Sequence, residues 1–542
     1  MHRSPFFPRR PSPHPPFRRH PRTSHLVRIM HRSRRRYLVG LLLLVLVGFF
    51  VRAISLDAQS LWRDEVDALR FATAPWAEMV NNFTRPGWNG PLYYLALRGW
   101  IAAAGASEYA IRFFSLFFGV LCIPLMYVLG RRVFDCTTGL ISALLAALSP
   151  YFVWYSQEAK MYTLILALAL LAVYSLRRAL AGSGPGWWAT QIVATSLTFY
   201  SHILAALLVP VQVAIALVWW PLVRRRWKGA LVSLTCLTLP YLPLAVWQAP
   251  LALQARDTGF HSYTLRQMIV ILLNGWSTGV RGWGGSWAAA LMGLLAVLGA
   301  AASTPWMSGQ PEAEKVSEGT RPLLGHWAAL IWLALPLLCL WLISIRQPLF
   351  TDRYLIWTAP AFYLLIGRAL GSLALSRDWT RWVVIPLLGG VLLASVANLR
   401  LQASEPIKAD FRAAASYVSG YGESHHSSAE AGTAPFDELV IFQIPYARYT
   451  FDYYFPVEEY PHADGLYTNH RAPSGGYQMG KDQAWQQMRA ITAGRDVAWL
   501  VASEVSMWDE RGLVKEWLDT NALRVAEAHF KRVDVYRYDL SE

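Results

Sequence analysis

Runs of about 20 apolar residues recur from "YLVGLLLLVLVGFFVRAI" at residue 37 to "WVVIPLLGGVLLASVANL" at residue 382. A helix needs that length to cross about 30 Å of hydrocarbon, and its backbone polar groups must bond within the helix because lipid offers no partners. The chain therefore reads as a mainly α, polytopic membrane protein. Its formal charge of +15 would suit a nucleic-acid partner, but the placement of the charge argues against one. Arginine crowds the tail "MHRSPFFPRRPSPHPPFRRHPRTSHLVRIMHRSRRR" and the short turns between apolar runs. This is the positive-inside pattern, with a tail suited to anionic membrane lipid. Cys122, Cys136, Cys236 and Cys339 lie in or beside apolar runs, which excludes a disulfide framework or a zinc site.

The Pro-, Arg- and Ser-rich residues 1–36 read as a disordered cytoplasmic tail. No small-x-small cleavage site follows, so the first apolar run reads as an uncleaved helix over about 37–56. It delivers residues 57–107 to the outside as the first extracytoplasmic loop. Further spans are expected near 108–130, 137–153 and 161–180, then a pair turning near His202 and returning to "RRRWK" at 224–228. A seventh exits near 249, and an interfacial or re-entrant piece precedes an eighth at 286–302. The ninth and tenth flank "QPLFTDRY", and the eleventh covers about 380–398. Basic clusters at 131–132, 177–178, 224–228 and 377–381 all fall on one side of this arrangement of about eleven spans. After Leu399, "DELVIFQ", "DVAWLVAS" and "KRVDVYRYD" read as strands, and "DFRAAASYVSGY", "QAWQQMRAIT" and "RGLVKEWLDTN" as helices. Residues 399–542 are thus expected to form a small extracytoplasmic α/β domain after a membrane domain of 37–398.

No acidic residue precedes Asp57, yet "LWRDEVDALR" at 61–70 brings Asp64, Glu65 and Asp67 close together. A carboxylate at a lipid boundary is expensive. The ordinary alternative is a solvated loop; the chemical one is a general base for an attacking hydroxyl. "YSQEAKMY" at 155–162 packs Gln157, Glu158, Lys160 and Tyr162 into a very short turn. It is either an interfacial belt with a snorkelling lysine or the polar wall of a pocket. There Glu158 would bind a sugar hydroxyl or a divalent cation, and Lys160 a phosphate. Arg353 in "TDRYL" is suited to bidentate phosphate binding or to anchoring at the interface. His202 in "FYSHILAAL" is a structural residue or a partner for phosphate or metal. Tyr93, Tyr94, Trp88 and Trp100 are placed to anchor in headgroups or to stack on a sugar. All of these fall on the same expected face.

The acidic pair, "NGPLYY", "RFFSLFFGVLCIPLMYVLGRRVFD", "LSPYFVWYSQEAKMYTLILALALLAVYSL", "YSHI" and "DRYL" together resemble the bacterial glycosyltransferase family 39-like proteins. These belong to the GT-C superfamily, with the protein O-mannosyltransferases and the aminoarabinose transferases of lipid A. The resemblance covers roughly residues 37–370, most clearly 56–180. It implies a GT-C fold in the bacterial plasma membrane and inverting transfer of a sugar from a polyprenyl-phosphate donor to a glycan, lipid or protein acceptor outside. It makes Asp64 the catalytic base with Glu65 beside it. It gives substrate-binding roles to Glu158, Lys160, Arg353 and His202; the reading of the residues themselves adds Gln157, Tyr162 and Tyr93 to the substrate-binding set and makes Glu158 and His202 candidate ligands for a divalent metal. Two departures limit what carries over. Asn89-Gly90-Pro91 stands where many relatives have His-Pro-Pro, and Asp67 lies where lipid A transferases place an arginine. The histidine's role and lipid A as acceptor are therefore not transferred, and Asp67 reads as a solvated carboxylate. The competing class is a polytopic transporter or lipid flippase. That class predicts ionisable residues near the midplane and paired broken helices, whereas these charges gather at helix ends.

Overall fold

A computed structural model describes residues 21–84, 90–253, 260–302, 323–376, 378–425, 436–472 and 475–541. Seven described helices are long and apolar enough to cross a membrane, and an eighth span is a bent pair. These match eight of the eleven expected positions. The other three fall on shorter helices, Gly186–Phe199, Ile203–Val218 and Gly285–Ala301. The first helix runs Pro21–Ala53, so the expected disordered tail is helical from Pro21 onward. After that proline nothing in the sequence forbids a helix, and Arg, Leu and Met favour one. Residues 1–20 lie outside the described set. The expected interfacial piece is the amphipathic helix Leu265–Thr278, capped by the Thr264 hydroxyl.

The bent pair, Cys136–Leu148 and Pro150–Ser156, turns by 56°. Pro150 has no N–H to give the preceding turn, and the Ser149 hydroxyl caps the second helix instead. The break leaves carbonyls of the first helix without partners, and a buried arginine supplies them. Arg52 donates to Ala146 O at 2.9 Å and Ala147 O at 2.8 Å, and to Ser156 Oγ at 3.1 Å.

Small residues let the helices approach closely. Gly139, on Cys136–Leu148, crosses helix Glu108–Val133 so tightly that a Cβ there would lie 2.6 Å from Tyr127 O and 2.8 Å from Arg131 N. Backbone cannot yield as a side chain does. Gly139→Ala is expected to destabilise the protein by about 1–3 kcal/mol, read as a lower unfolding temperature in detergent.

The C-terminal region holds a five-stranded sheet of β1 Leu439–Phe442, β2 His462–Asp464, β3 Val497–Ser503, β4 Leu523–Phe530 and β5 Val533–Asp539. The order is β2-β1-β3-β5-β4, parallel from β2 to β3 and antiparallel beyond. Helix Phe411–His425 packs on one face with Val440, Phe442, Trp499 and Val501. Helices Lys481–Thr492 and Leu513–Asn521 cover the other with Leu439, Ile441, Ala498 and Leu500. Burial on both faces explains why β1 and β3 read as continuous apolar runs.

Candidate active site

Helix Arg63–Thr73 opens with Asp64 and Glu65 in its first turn, where the helix dipole favours carboxylates. Neighbours on a helix point about 100° apart, so the adjacent acids diverge. Glu65 turns inward and is fully buried. Its two oxygens take a fork from Arg112, Nε and Nη2 both at 2.8 Å, and Lys408 Nζ at 2.7 Å. The Ala159 N–H donates to the same carboxylate at 3.1 Å. Burial alone would raise this carboxyl, but the charges and hydrogen bonds of Arg112 and Lys408 prevail and hold it at about 2. Arg112 also donates to the carbonyls of Leu56, Gln59 and Ser60, which fixes the entry to the helix.

Asp64 turns the other way, into a cleft. Its Oδ2 meets Arg353 Nη1 at 2.8 Å, and both side chains stay partly open, 31% and 24% exposed. The Arg353 guanidinium lies 5.9 Å from the centre of the Tyr162 ring, and its buried Nε has no hydrogen-bond partner among the described residues. Asp67 is 30% exposed, about as open as Asp64. It makes only loose pairs to Arg63 at 3.8 Å and Arg70 at 3.9 Å. Burial raises its carboxyl, opposed first by the charge of Lys160. A position three residues after Asp64 shares its helix face, which brings Asp67 towards the cleft.

Glu158 is buried, and neither of its oxygens has a hydrogen-bond partner among the described residues. Burial raises its carboxyl, Lys408 and Arg353 pull it down, and Glu65 and Asp64 push it up; the outcome is about 7. Lys160 is buried along its stem, and its ammonium makes no hydrogen bond or ion pair among the described residues. Its charge acts on Asp67 and on Tyr354. His202 is buried 4.6 Å from the Tyr354 ring, and its Nδ1 accepts the Leu204 N–H at 3.2 Å. Burial, then the Arg353 charge, lower it to about 4, so it is neutral at physiological pH. His202, Arg353, Tyr162 and Tyr354 line a narrow crevice with no room for a water molecule as it stands. From Ile203, the residue after His202, runs an apolar groove of about 320 Å³, walled by Phe199, Val209, Leu237, Tyr241 and Leu244.

Two expected binders face elsewhere. The Gln157 amide donates to Arg52 O at 3.0 Å and Ile54 O at 3.2 Å, closing the end of the first span. Tyr93 is wholly buried, with its hydroxyl 3.3 Å from Ser115 Oγ and its ring against Tyr94 and Phe114, which leaves no ring face for a sugar. Trp88 lies outside the described residues. No group of three His, Cys, Asp or Glu side chains among the described residues is placed to hold a metal ion.

Arg112 and Lys408 escaped the sequence reading. An arginine inside the run "RFFSLFFGVLC" was the available signal for the first. For Lys408, in a polar linker, there was none. The C-terminal region also grips the acidic helix. Arg63 lies 3.5 Å from the centre of the Tyr446 ring and Arg70 3.4 Å from that of Tyr449, while Leu61 N–H donates to the Tyr454 hydroxyl at 2.6 Å.

Residues 86–247 match the family model described as dolichyl-phosphate-mannose-protein mannosyltransferase. No curated protein sequence matches the chain. Among solved structures, ArnT from Cupriavidus metallidurans in the apo state is similar with a TM-score of 0.55 at 13% identity, over 94% of this chain and 99% of that one. ArnT from the same organism bound to undecaprenyl phosphate gives 0.53 at 14%, over 92% and 97%. The oligosaccharyltransferase of Archaeoglobus fulgidus in complex with Zn and sulfate gives 0.51 at 15%, over 85% and 68%. The fold is thus that of the GT-C glycosyltransferases, as the resemblance implied, on a chain with the apolar helices of an integral membrane protein.

Proposed function

We propose that the protein transfers a sugar from a polyprenyl-phosphate donor to an acceptor on the extracytoplasmic face of the membrane, with inversion and with Asp64 as general base. The observation that carries this reading is the half-open Asp64–Arg353 pair; Arg353 shares a crevice with His202, and an apolar groove starts at the next residue, Ile203. A lipid-linked donor presents a prenyl chain, a phosphate and a sugar in that order. The groove is apolar enough for the first, and the Asp64–Arg353 pair offers a cation and a base for the other two. ArnT, which shares the fold, has been seen with undecaprenyl phosphate.

The chemistry follows from the charges. The phosphate leaves as an anion, so fixed cations stabilise the charge that develops, and no acid is needed to protonate it. One carboxylate on the opposite face then suffices, unlike the paired carboxylates of glycoside hydrolysis. Arg353 is paired with Asp64. A phosphate arriving at Arg353 and Lys160 draws the guanidinium to itself and frees Asp64 to take the acceptor proton. Glu158, with both oxygens unpartnered among the described residues, is suited to accept from sugar hydroxyls. Glu65, saturated by its cations, orients the helix. In this reading residues 37–398 are the transferase body in the plasma membrane and 399–542 an extracytoplasmic domain. The acceptor is a glycan, lipid or protein.

The test supplies membranes containing the full chain with a labelled polyprenyl-phosphate sugar and follows label into non-donor material by mass spectrometry. Transfer that depends on the chain is expected; none with any of several sugars would overturn the reading. Arg353→Met and Lys160→Met are each expected to weaken binding of undecaprenyl phosphate about tenfold or more, as loss of a charge-assisted contact does. Unchanged affinity in both would remove the phosphate assignment.

A further inference from the structure

Lys408 belongs to none of the motifs around the cleft. It comes from the linker between helix Val384–Ser404 and the C-terminal sheet region, yet its side chain is only 3% exposed. Its ammonium lies 2.7 Å from Glu65 Oε2, and 5.6 Å and 5.5 Å from the ring centres of Trp62 and Trp154. The linker is seated on the loop before the acidic helix. Gln59 Oε1 accepts the N–H groups of Ile407 and Lys408 at 2.8 and 3.1 Å, and Ser60 Oγ donates to Ala409 O at 2.5 Å.

Arg112 already neutralises Glu65 through a two-pronged pair, so a second buried cation is surplus to that carboxylate. The surplus has a counterpart. The Glu65 carboxylate that takes Lys408 also accepts the N–H of Ala159, the residue after Glu158. Around the cleft Arg112, Lys408, Arg353 and Lys160 stand with Glu65, Asp64, Asp67 and Glu158, and these charges balance when Glu158 is ionised. The groups whose charge acts on Glu158 are Lys408, Glu65, Arg353 and Asp64, with the phenols of Tyr93, Tyr155 and Tyr162 beside it. Those acting on Lys408 are Glu65, Arg112 and Glu158.

We propose that Lys408 is a positioning residue of this site: one ammonium pins Glu65, and through it the helix that carries Asp64, and is the countercharge facing Glu158. The site is then complete only when the linker to the C-terminal region is seated. The kinetic consequence rests on the glycosyl-transfer reading above, whereas the placement of charge does not.

Two readouts on the full chain in lipid nanodiscs separate these. The first is infrared difference spectroscopy of the protonated carboxyl band that vanishes in Glu158→Gln, followed against pH. Burial raises this carboxyl and Lys408 is the first charge opposing it. Lys408→Met is therefore expected to move the midpoint upward by about one unit or more, and Lys408→Arg to leave it near the wild-type value. The second is turnover of the labelled donor. Lys408→Met is expected to lower kcat about tenfold or more with donor KM little changed, as displaced catalytic geometry does. The acid limb of its pH profile should move upward, and Lys408→Arg should recover most of the rate. An unmoved infrared midpoint in Lys408→Met, or in Lys408→Gln should the methionine variant fail to fold, overturns the proposal. So does a rate that falls equally with arginine. If the wild-type chain transfers nothing, the reaction assignment fails and the infrared midpoint alone decides for or against Lys408.

Discussion

Asp64→Asn is expected to lower the rate of sugar transfer by about 10²–10⁴-fold, the range that a positioned general base contributes, while donor binding holds or improves. The amide keeps the shape of the carboxylate but cannot take a proton from an acceptor hydroxyl. It also releases Arg353 from its 2.8 Å ion pair, leaving the guanidinium more available to a donor phosphate. Loss of rate without loss of affinity is therefore the signature. Single-turnover transfer from a labelled polyprenyl-phosphate sugar measures the rate, and equilibrium binding of undecaprenyl phosphate measures affinity. Transfer at the wild-type rate would move the base elsewhere, Asp67 being the next carboxylate along the same helix face. Affinity and rate falling together would instead make Asp64 a part of the donor site. Glu65 is no substitute. Its oxygens are taken by Arg112, Lys408 and the Ala159 N–H, and a base whose lone pairs are filled has none for a substrate proton.

Features set by local composition were legible in the sequence. Helix positions followed from run length, since lipid leaves the backbone no choice, and β1, β3 and β5 followed from their apolar or alternating character. β4, "LRVAEAHF", was not read. Two of its three inward positions, Ala526 and Ala528, are small, and it lies at the sheet edge, paired to β5 alone, so its pattern carries little signal. In the site, Asp64, Glu158, Lys160, His202 and Arg353 could be proposed because each is polar where the surroundings are not. Which face each adopts was not available. Asp64 and Glu65 are chemically alike neighbours, and only the fold turns one to the cleft and buries the other. Lys408 was invisible for a different reason. A lone lysine in a polar linker is ordinary until the chain folds back over 300 residues and inserts it beside Glu65. Contacts of that sequence separation leave no local trace.

The Glu65–Arg112 pair should dominate stability as Asp64 dominates rate. Both side chains are removed from water, at 0% and 1% exposure, so neither can recover solvation if its partner is lost. Breaking such a pair by removing one member costs about 3–5 kcal/mol, because a buried charge is left uncompensated. Arg112→Met does more than that. It also strips donors from the carbonyls of Leu56, Gln59 and Ser60, each of which then loses a hydrogen bond in a buried place. It is therefore expected to be the more damaging single change, at or above the upper end of that range. Glu65→Gln keeps the shape and one acceptor but leaves Arg112 and Lys408 short of negative charge. The double variant should lose less than the two singles combined, since the second substitution removes a charge that the first had already orphaned. Unfolding of the detergent-solubilised protein, followed by tryptophan fluorescence, measures all three. The pH dependence has a definite sign. The folded carboxyl lies at about 2 against an ordinary 4.5, so the unfolded chain takes up the proton first as pH falls. The stabilisation is complete above pH 4.5, declines between 4.5 and 2, and is absent in Glu65→Gln, whose stability should not fall in that window on account of this residue. Additive losses in the double variant, or a single-variant loss below about 1 kcal/mol, would place the pair among surface ion pairs and detach it from the seating of the Asp64 helix.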